Sequence, residues 1–231
     1  MSWQNGNIKC IINQCIDNHL YNTELQQLQK SHNKEEFYDI IFNNIAFIVS
    51  KNIKIDYDYL EQHGNWNKLD GFDWTCLLSS KPQLSVYCNW TKFIEYYWSR
   101  LLKNQPQFAD KCEFKGFSGY HWSDLLQYQP QLHKKCNWDT FDGHNWAELL
   151  IKQPQFEKYC NWKKLNCYHW ANLLQTHPQF ADKCNWDKFL SWNWISLLPV
   201  QPQFLDKVDW SKFNADETAK LKLVVSEIVK H

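Results

Sequence analysis

A proline followed by glutamine recurs every 24 residues through the middle of the chain, with no insertion or deletion between recurrences. A fixed period of about 20–50 residues indicates a solenoid or a related repeat array, because one unit alone is too small to bury its apolar face. The period therefore predicts six stacked copies, and an array without insertions is expected to form one continuous body. The copies begin at Trp66, Trp90, Phe114, Trp138, Trp162 and Trp186, and a partial seventh begins at Trp210.

A few positions of the unit hold the same residue type in nearly every copy. Counted from 1 at Trp66, these are an aromatic at 1, Leu or Phe at 4, Trp at 9, Leu at 12 and 13, Pro-Gln at 17 and 18, and Cys at 23. Trp at 9 with Leu at 12 and 13 has the spacing of one helical face. The residue before proline is excluded from the helical region, so this helix should end near position 15. Proline should open a second, shorter helix that carries positions 19 and 23. The unit predicts an all-α solenoid of two-helix repeats.

The two ends of the chain differ from the repeats and are predicted to be helical caps. We expect a helical N-terminal segment at 1–64, with helices over 7–20 and 33–51, repeats over 65–213, and a C-terminal capping helix at 214–231. Asn214 and Glu217 have the spacing of a capping box that opens that last helix. No stretch has the roughly 20 apolar residues of a membrane span, and the N-terminus lacks a secretory pattern, so we expect a cytoplasmic protein.

The tryptophans and cysteines are predicted to be structural. Most of the 14 tryptophans stand at positions 1 and 9, where they are expected to fill the core rather than to stack on a ligand. Val208 replaces the cysteine of position 23 in the sixth copy, which indicates a small apolar site rather than metal or redox chemistry. A disulfide needs Cα atoms about 4.4–6.8 Å apart, whereas stacked helices lie about 8–10 Å apart. The cysteines at position 23 are Cys88, Cys112, Cys136, Cys160 and Cys184.

A glutamine occupies position 18 of every copy and is predicted to form a structural ladder. Because an unpaired buried amide is costly, each side chain is expected to bond the backbone of the adjoining copy. The alternative is a row of amides that binds a ligand. The ladder residues are Gln83, Gln107, Gln131, Gln155, Gln179 and Gln203.

Positions 7 and 8 vary between copies and are the predicted binding surface. They should precede each first helix and form a ridge along one edge, with aromatic side chains of the kind that dominate protein–protein hot spots. The alternative is that position 7 packs on the Trp of position 9 or on the next layer while position 8 caps the helix, as Asp73, Asn145 and Asn193 are able to do. The candidate ridge residues are Tyr96, Tyr97, Tyr120, His121, His144, Tyr168, His169 and Trp192.

Charge and motifs disfavour nucleic-acid binding and catalysis. The chain has 25 basic and 25 acidic residues, and Arg100 is its only arginine, whereas phosphate recognition relies on arginine and on a basic stripe. Hydrolase, nucleotide-loop and zinc-protease motifs are absent from the sequence, and no cofactor or metal is predicted. His144, Cys167 and His169 are the one cluster considered for a metal, but neighbouring copies should place the histidines about 10 Å apart.

The repeat resembles a known kind of sequence. The pattern W-x-x-L-L-x-x-x-Q-P-Q-F-A-D-K-C, clearest from Trp98 to Cys112 and from Trp170 to Cys184, is similar to tandem repeats of uncharacterised bacterial proteins. The resemblance covers about 66–213, implies a bacterial origin and carries no catalytic residues. Leucine-rich-repeat variant proteins share the repeat length and a helical unit, which bears on geometry only.

These observations predict a non-enzymatic scaffold that binds another protein. Solenoids present extended surfaces, and an immunity protein that masks a toxin domain is the most concrete expectation within this class. An adaptor or effector scaffold is the first alternative. The others are an enzyme with a site in residues 1–64 or in their groove with the first copies, and a nucleic-acid-binding repeat protein.

Overall fold

The computed structural model describes residues 30, 32–50 and 56–228, and the regular secondary structure of these residues is helical throughout. The contacts divide the chain into two compact units, Met1–Glu113 and Phe114–His231, where the sequence predicted one continuous body. The first unit contains copies 1 and 2, and the second contains copies 3 to 6 and the C-terminal helix. The helix predicted at 7–20, together with Cys10 and Cys15, lies outside the described residues.

Each copy has one α-helix, which confirms the helix predicted from the spacing of positions 9, 12 and 13. It covers positions 6–15 in most copies and ends just before the residue that precedes proline. In the first unit the α-helices are α1 (Lys34–Asn43), α2 (Ile45–Ser50), α3 (Tyr57–His63), α4 (Gly71–Ser80) and α5 (Glu95–Asn104). In the second unit they are α6 (Gly119–Tyr128), α7 (Gly143–Lys152), α8 (Cys167–Thr176), α9 (Ser191–Leu197) and α10 (Ala215–Ile228).

The second helix of each copy is a 3₁₀-helix of positions 17–22, not the α-helix that the sequence predicted. The residue at position 16 is not helical, as at Gln153 with φ −136° and ψ 69°, and the following turns close through i to i+3 bonds. The cysteine of position 23 therefore follows the helix, and it does not share an α-helical face with position 19. The 3₁₀-helices are Pro82–Tyr87, Pro106–Lys111, Pro130–Lys135, Pro154–Tyr159, Pro178–Lys183 and Pro202–Lys207.

A second, three-residue 3₁₀ turn opens most copies at positions 1–3. In four of these turns the preceding side chain, at position 24, caps the turn, as Asn137 does by accepting from the backbone N–H of Asp139 at 3.2 Å. Copy 3 begins differently, because Phe114 has φ 57° and Gly116 has φ 77°. These turns are Trp66–Lys68, Trp90–Lys92, Trp138–Thr140, Trp162–Lys164, Trp186–Lys188 and Trp210–Lys212.

An aromatic stack within each copy forms the core, as the sequence predicted for positions 1 and 9. Trp138 lies on Trp146 with ring centroids 5.4 Å apart and planes 13° apart, and Phe156 packs on Trp138 at 5.5 Å. The leucines of positions 12 and 13 are fully buried beside these rings. The same stacking joins Trp66 and Trp74, Trp90 and Trp98, Phe114 and Trp122, Trp162 and Trp170, and Trp186 and Trp194.

Within each unit, consecutive copies stack helix against helix, which is the organisation of an α-solenoid. Consecutive copies approach each other closely at position 6, where three copies have glycine. A Cβ on Gly71 would lie 2.5 Å from the carbonyl oxygen of Lys92 and 2.5 Å from the ring of Tyr97, both in the next copy. Gly143 has the same relation to the carbonyl of Lys164 and to His169. Where position 6 is glycine, it thus makes room for position 8 of the following copy.

The amide ladder exists, but the residue at position 16 makes its contact between copies. Gln153 donates to the backbone carbonyl of Gln127 in the preceding copy at 2.8 Å, and His177 contacts the carbonyl of Ile151 at 3.1 Å. The glutamine of position 18 is exposed, and in copies 2 to 6 it bonds position 16 of its own copy, as Gln155 does by donating to Gln153 at 2.6 Å. The sequence predicted a direct bond from position 18 to the adjoining backbone. Instead, position 18 bonds position 16, and position 16 bonds the backbone of the preceding copy.

The C-terminal cap continues the register of the repeats. The predicted capping box is confirmed, since Asn214 accepts from the backbone N–H of Glu217 at 2.9 Å and Glu217 accepts from that of Asn214 at 3.0 Å. These residues are positions 5 and 8 of copy 7, and α10 is its helix, with Leu221 buried at position 12. Counting one period back from copy 1 places Phe42 at position 1 and buried Leu60 at position 19, but α2 and α3 have other bounds than the helices of a repeat.

Candidate functional site

A reciprocal pair of hydrogen bonds holds the first turn of α4, α7, α8 and α10. In α7, Asp142 accepts from the backbone N–H of Asn145 at 2.8 Å, and Asn145 accepts from that of Asp142 at 3.3 Å. In α8, Asn166 accepts from the N–H of His169, and Nδ1 of His169 accepts from that of Asn166 at 3.2 Å. Position 5 is therefore the N-cap and position 8 closes the box from inside the helix. Both candidate positions lie in the first turn, where the sequence had placed them before the helix.

Position 7 points outward and forms the exposed ridge. In the second unit the side chains of Tyr120, Tyr168 and Trp192 are 58%, 52% and 45% exposed, and that of His144 is 59% exposed. We call these four residues the ridge. Tyr168 and Trp192, in successive copies, lie with ring centroids 6.1 Å apart, so the ridge is continuous at that step. In the first unit Phe72 and Tyr96 occupy position 7 and are also exposed, so position 7 is not part of the core, although the Tyr168–Trp192 contact is the packing on the next layer that the alternative predicts.

Position 8 points inward and is structural. Tyr97, His121 and His169 are half-buried, while Asn145 and Asn193 are buried, and each of the two asparagines and two histidines accepts the N-cap backbone N–H of its own helix. Asn193 also donates to the carbonyl of Cys167 in the preceding copy at 3.2 Å. Tyr97, His121 and His169 are thus removed from the predicted ridge. In the sequence, the feature that distinguishes positions 7 and 8 is the glycine at position 6 of copies 1, 3 and 4.

Two histidines of adjacent copies meet at the centre of the ridge. The ring centroids of His144 and His169 are 6.3 Å apart, closer than the helix spacing predicted, because position 8 of one copy leans over positions 6 and 7 of the preceding copy. Burial, and then the charge of His144, lower the pKa of His169. Nε2 of His144 lies 3.3 Å from a carboxylate oxygen of Glu148. The lowered pKa favours the neutral form of His169. His144, beside it, contacts Glu148 at the exposed surface.

The other predicted sites have structural partners. Each Trp of position 9 lies buried under its position-1 ring, so it offers no face to a ligand. Burial raises the pKa of the thiols of Cys88, Cys160 and Cys184 to about 12, as expected for a small apolar site, and the described cysteines are free thiols. Among the described residues, no group of three or more His, Cys, Asp or Glu side chains is arranged to hold a metal ion.

A separate cleft lies in the first unit, where the N-terminal helices meet the start of copy 1. Its volume is about 540 Å³, and the rings of Tyr59 and His63 in its wall are tilted by 36° with their centroids 4.4 Å apart. Lys68 forms an ion pair with Asp39 at 2.9 Å on its rim. The cleft lies where residues 1–64 meet the first copies, which is one of the places where the sequence analysis puts an alternative enzyme site.

The helices of the described residues include none with the length and apolar character needed to cross a bilayer. Comparisons of the chain with protein-family models, with curated proteins and with solved structures gave no match.

Proposed function

We propose that this chain is a non-enzymatic repeat scaffold that binds another protein through the ridge. The observation that carries the proposal is that adjacent positions have different roles. Position 8 closes the capping box and faces the preceding copy, while position 7 is exposed in every copy and has no part in the capping box. Tyrosine and tryptophan supply large, rigid contact areas at low entropic cost, and they are enriched among interface hot spots. Three of the four ridge residues are of these two types.

The narrower predictions rest on sequence features. An immunity protein that masks a toxin domain remains our most concrete form of the proposal, with an adaptor or effector scaffold as its alternative. We place the function in a reducing cytoplasm of a bacterial cell, on the grounds of the repeat resemblance and the use of free cysteines as packing residues.

The experiment compares three forms of the protein as baits for partners from a bacterial lysate. The ridge variant carries Tyr120→Ala, Tyr168→Ala and Trp192→Ala, and the control carries Val200→Ala and Leu223→Ala, which remove exposed apolar side chains outside the ridge. Truncating a hot-spot ring costs about 2 kcal/mol or more of binding energy, so the ridge variant should lose the partner and the control should keep it. A partner that the folded ridge variant retains at full affinity would contradict the proposal.

The cleft supports a second candidate function, an enzyme or small-molecule site in the first unit. A concave site with a few converging titratable groups is a common form of active site, and His63, Asp39 and Lys68 line this one. Catalytic turnover by the purified chain that His63→Gln abolishes, without any protein partner, would favour this candidate over the scaffold.

A further inference from the structure

Both ends of α8 contact copy 4 through a histidine. At the start of the helix, His169 at position 8 faces Gly143 and its ring centroid lies 6.3 Å from that of His144. At the end of the helix, His177 at position 16 contacts the carbonyl oxygen of Ile151 at 3.1 Å. No other copy has histidine at both of these positions, so the step from copy 4 to copy 5 is distinct from the other steps of the array.

The two histidines of α8 use different ring atoms and therefore differ in their response to acid. Nδ1 of His169 accepts from the backbone N–H of Asn166 at 3.2 Å, so a proton added to Nδ1 would place one N–H against another. Nε2 of His177 is the atom that contacts Ile151, and it carries a proton in either state of the ring when it donates there. Nδ1 of His177 lies 3.3 Å from the side-chain amide of Gln179, which can rotate to present its oxygen. Acid thus breaks the bond at the start of α8 and keeps the one at its end.

The surroundings of His169 oppose its protonation. Burial and then the charge of His144 lower the pKa of His169, and the carboxylate of Asp142 raises it by less. Behind His144, the carboxylate of Glu148 lies 3.3 Å from Nε2 and forms an ion pair with that ring once it is protonated. The ammonium of Lys164 donates to backbone carbonyls of copy 4, and positions 5–14 of copy 6 contain no charged residue. In acid, two cationic rings therefore lie side by side where copies 4 and 5 meet.

A histidine also accepts the N-cap N–H in α6, but that turn can adapt to acid. The hydroxyl oxygen of Ser118 lies 3.0 Å from Nδ1 of His121, and a hydroxyl can donate to a neutral ring or accept from a protonated one. In α8 the N-cap is Asn166, whose side-chain oxygen already accepts from the backbone N–H of His169 at 3.0 Å. The acid-sensitive bond is therefore the one that His169 makes.

We propose that the step from copy 4 to copy 5 is an acid-sensitive joint, in which protonation of His169 and His144 opens the first turn of α8 and displaces Tyr168 from the ridge. Tyr168 lies in the chain between the bonded residues Asn166 and His169, and its ring centroid is 6.1 Å from that of Trp192. Opening this turn therefore breaks the continuous part of the ridge. The consequence for binding rests on the proposed function: the affinity of the ridge for its protein partner falls as the histidines become protonated.

The test measures hydrogen exchange of single backbone amides in the full chain by NMR, at neutral pH and at about pH 5, below the ordinary histidine pKa of about 6.5. Exchange is expressed as a protection factor, which removes the intrinsic effect of pH on the exchange rate. The reporting amides are those of Asn166 and His169. The internal control is the amide of Leu190, which donates at 2.9 Å to Asn193, a side chain that does not titrate. We expect the protection of the reporting amides to fall about tenfold in acid relative to that of Leu190.

Three variants assign the change to its residues. His169→Asn keeps the box, as Asn145 does in α7, and should abolish the fall in protection. His144→Gln should reduce the fall, because the second cation is missing. His177→Gln is the matched control at the other end of α8 and should behave as wild type. Protection that does not change with pH, or that falls equally in His169→Asn, would overturn the inference.

The displacement of the ridge is measured in the same samples, through nuclear Overhauser contacts between the rings of Tyr168 and Trp192. These contacts should be lost in acid in wild type and kept in His169→Asn, and contacts that persist in acid in wild type would contradict the displacement. Because neither measurement needs a partner, the joint and the proposed function fail separately. A partner recovered by the bait experiment should bind wild type about tenfold more weakly in acid than it binds His169→Asn. An equal loss in both proteins would show that the joint does not control the ridge, and would leave the ridge as a docking site.

Discussion

The side-chain amide of Gln153 donates to the backbone carbonyl of Gln127 at 2.8 Å, and this bond joins copy 4 to copy 3. Gln153 also accepts from the amide of Gln155, which is exposed, at 2.6 Å. The residue before the proline therefore connects the copies, and the glutamine after it orients that residue. The same arrangement occurs where Gln201 donates to the carbonyl of Gln175 at 2.7 Å.

Gln153→Leu should lower the free energy of unfolding by about 1 kcal/mol, because the carbonyl of Gln127 loses a partly buried partner. Urea unfolding of the full chain measures the change. Gln155→Leu is the matched control and should cost less, since its bond is exposed to water. His177→Gln should be close to neutral, because glutamine makes the same bond in three other copies. An equal loss from Gln155→Leu and Gln153→Leu would contradict the assigned roles.

Gly143→Ala should destabilise the protein, although alanine normally stabilises a helix relative to glycine by about 0.5–1 kcal/mol. The added methyl would meet the carbonyl oxygen of Lys164 and lie 2.6 Å from Nδ1 of His169, so the copies must move apart at a cost of about 1–3 kcal/mol. Thermal unfolding measures the loss. Cys167→Ala, at the same position of copy 5, is the control and should change stability little, because a Cβ is already accommodated there. A stabilised Gly143→Ala protein would show that position 6 is not a close contact.

The pH dependence of stability should include a contribution from His169, whose pKa is lowered by burial and by the charge of His144. A histidine with a lowered pKa is protonated more readily in the unfolded chain, so its contribution is complete above the ordinary histidine pKa of about 6.5. It declines as the pH falls from that value to the lower pKa of the folded state. Protonation also removes the Nδ1 acceptor that caps the N–H of Asn166.

Urea-unfolding midpoints measured between neutral and mildly acidic pH test this contribution. His169→Asn should keep the box, as Asn145 does in α7, and should reduce the decline at acidic pH. His121→Asn is a comparison at the equivalent position of copy 3. If the decline is the same in wild type and in His169→Asn, another group is responsible for it.

Cys160→Val should leave stability nearly unchanged or raise it, because valine occupies the equivalent site at Val208, which is buried. Cys160→Ser should cost about 1 kcal/mol, since a hydroxyl at this half-buried site would lose part of its hydration without gaining a partner. Thermal unfolding under reducing conditions compares the two variants.

The thiol itself should react slowly with alkylating reagents in the folded protein at neutral pH, because burial raises the pKa of Cys160 to about 12 and little thiolate is present. Rapid modification of Cys160 in the folded state, at the rate of the denatured chain, would contradict its assignment as a packing residue.

Much of the fold was predictable because the repeat applies the same local rules in every copy. The spacing of Trp146, Leu149 and Leu150 predicted α7, and proline at 154 predicted where it ends. The capping box of Asn214 and Glu217 was predicted from two residues. These features depend on the residue itself and on neighbours within a turn of helix, so the sequence contains all the information they require.

The candidate site was predicted only in part. The sequence indicated that positions 7 and 8 vary, but not that they point in opposite directions. Position 7 points to solvent, whereas position 8 faces position 6 of the preceding copy, as His169 faces Gly143. Which of two adjacent polar side chains meets a neighbour depends on how the copies stack, and that geometry is set by contacts about 24–26 residues apart.

The sequence alone determined the period, the α-helix of each copy, its end before proline and the aromatic and leucine positions of the core. The tertiary structure decided that the second helix is 3₁₀, that position 16 rather than 18 joins the copies, and that position 7 alone forms the ridge. The physical reason is the same in each case. Helix spacing and proline act locally along the chain, whereas the partner of a polar side chain is chosen by the close approach of another copy, which no single repeat specifies.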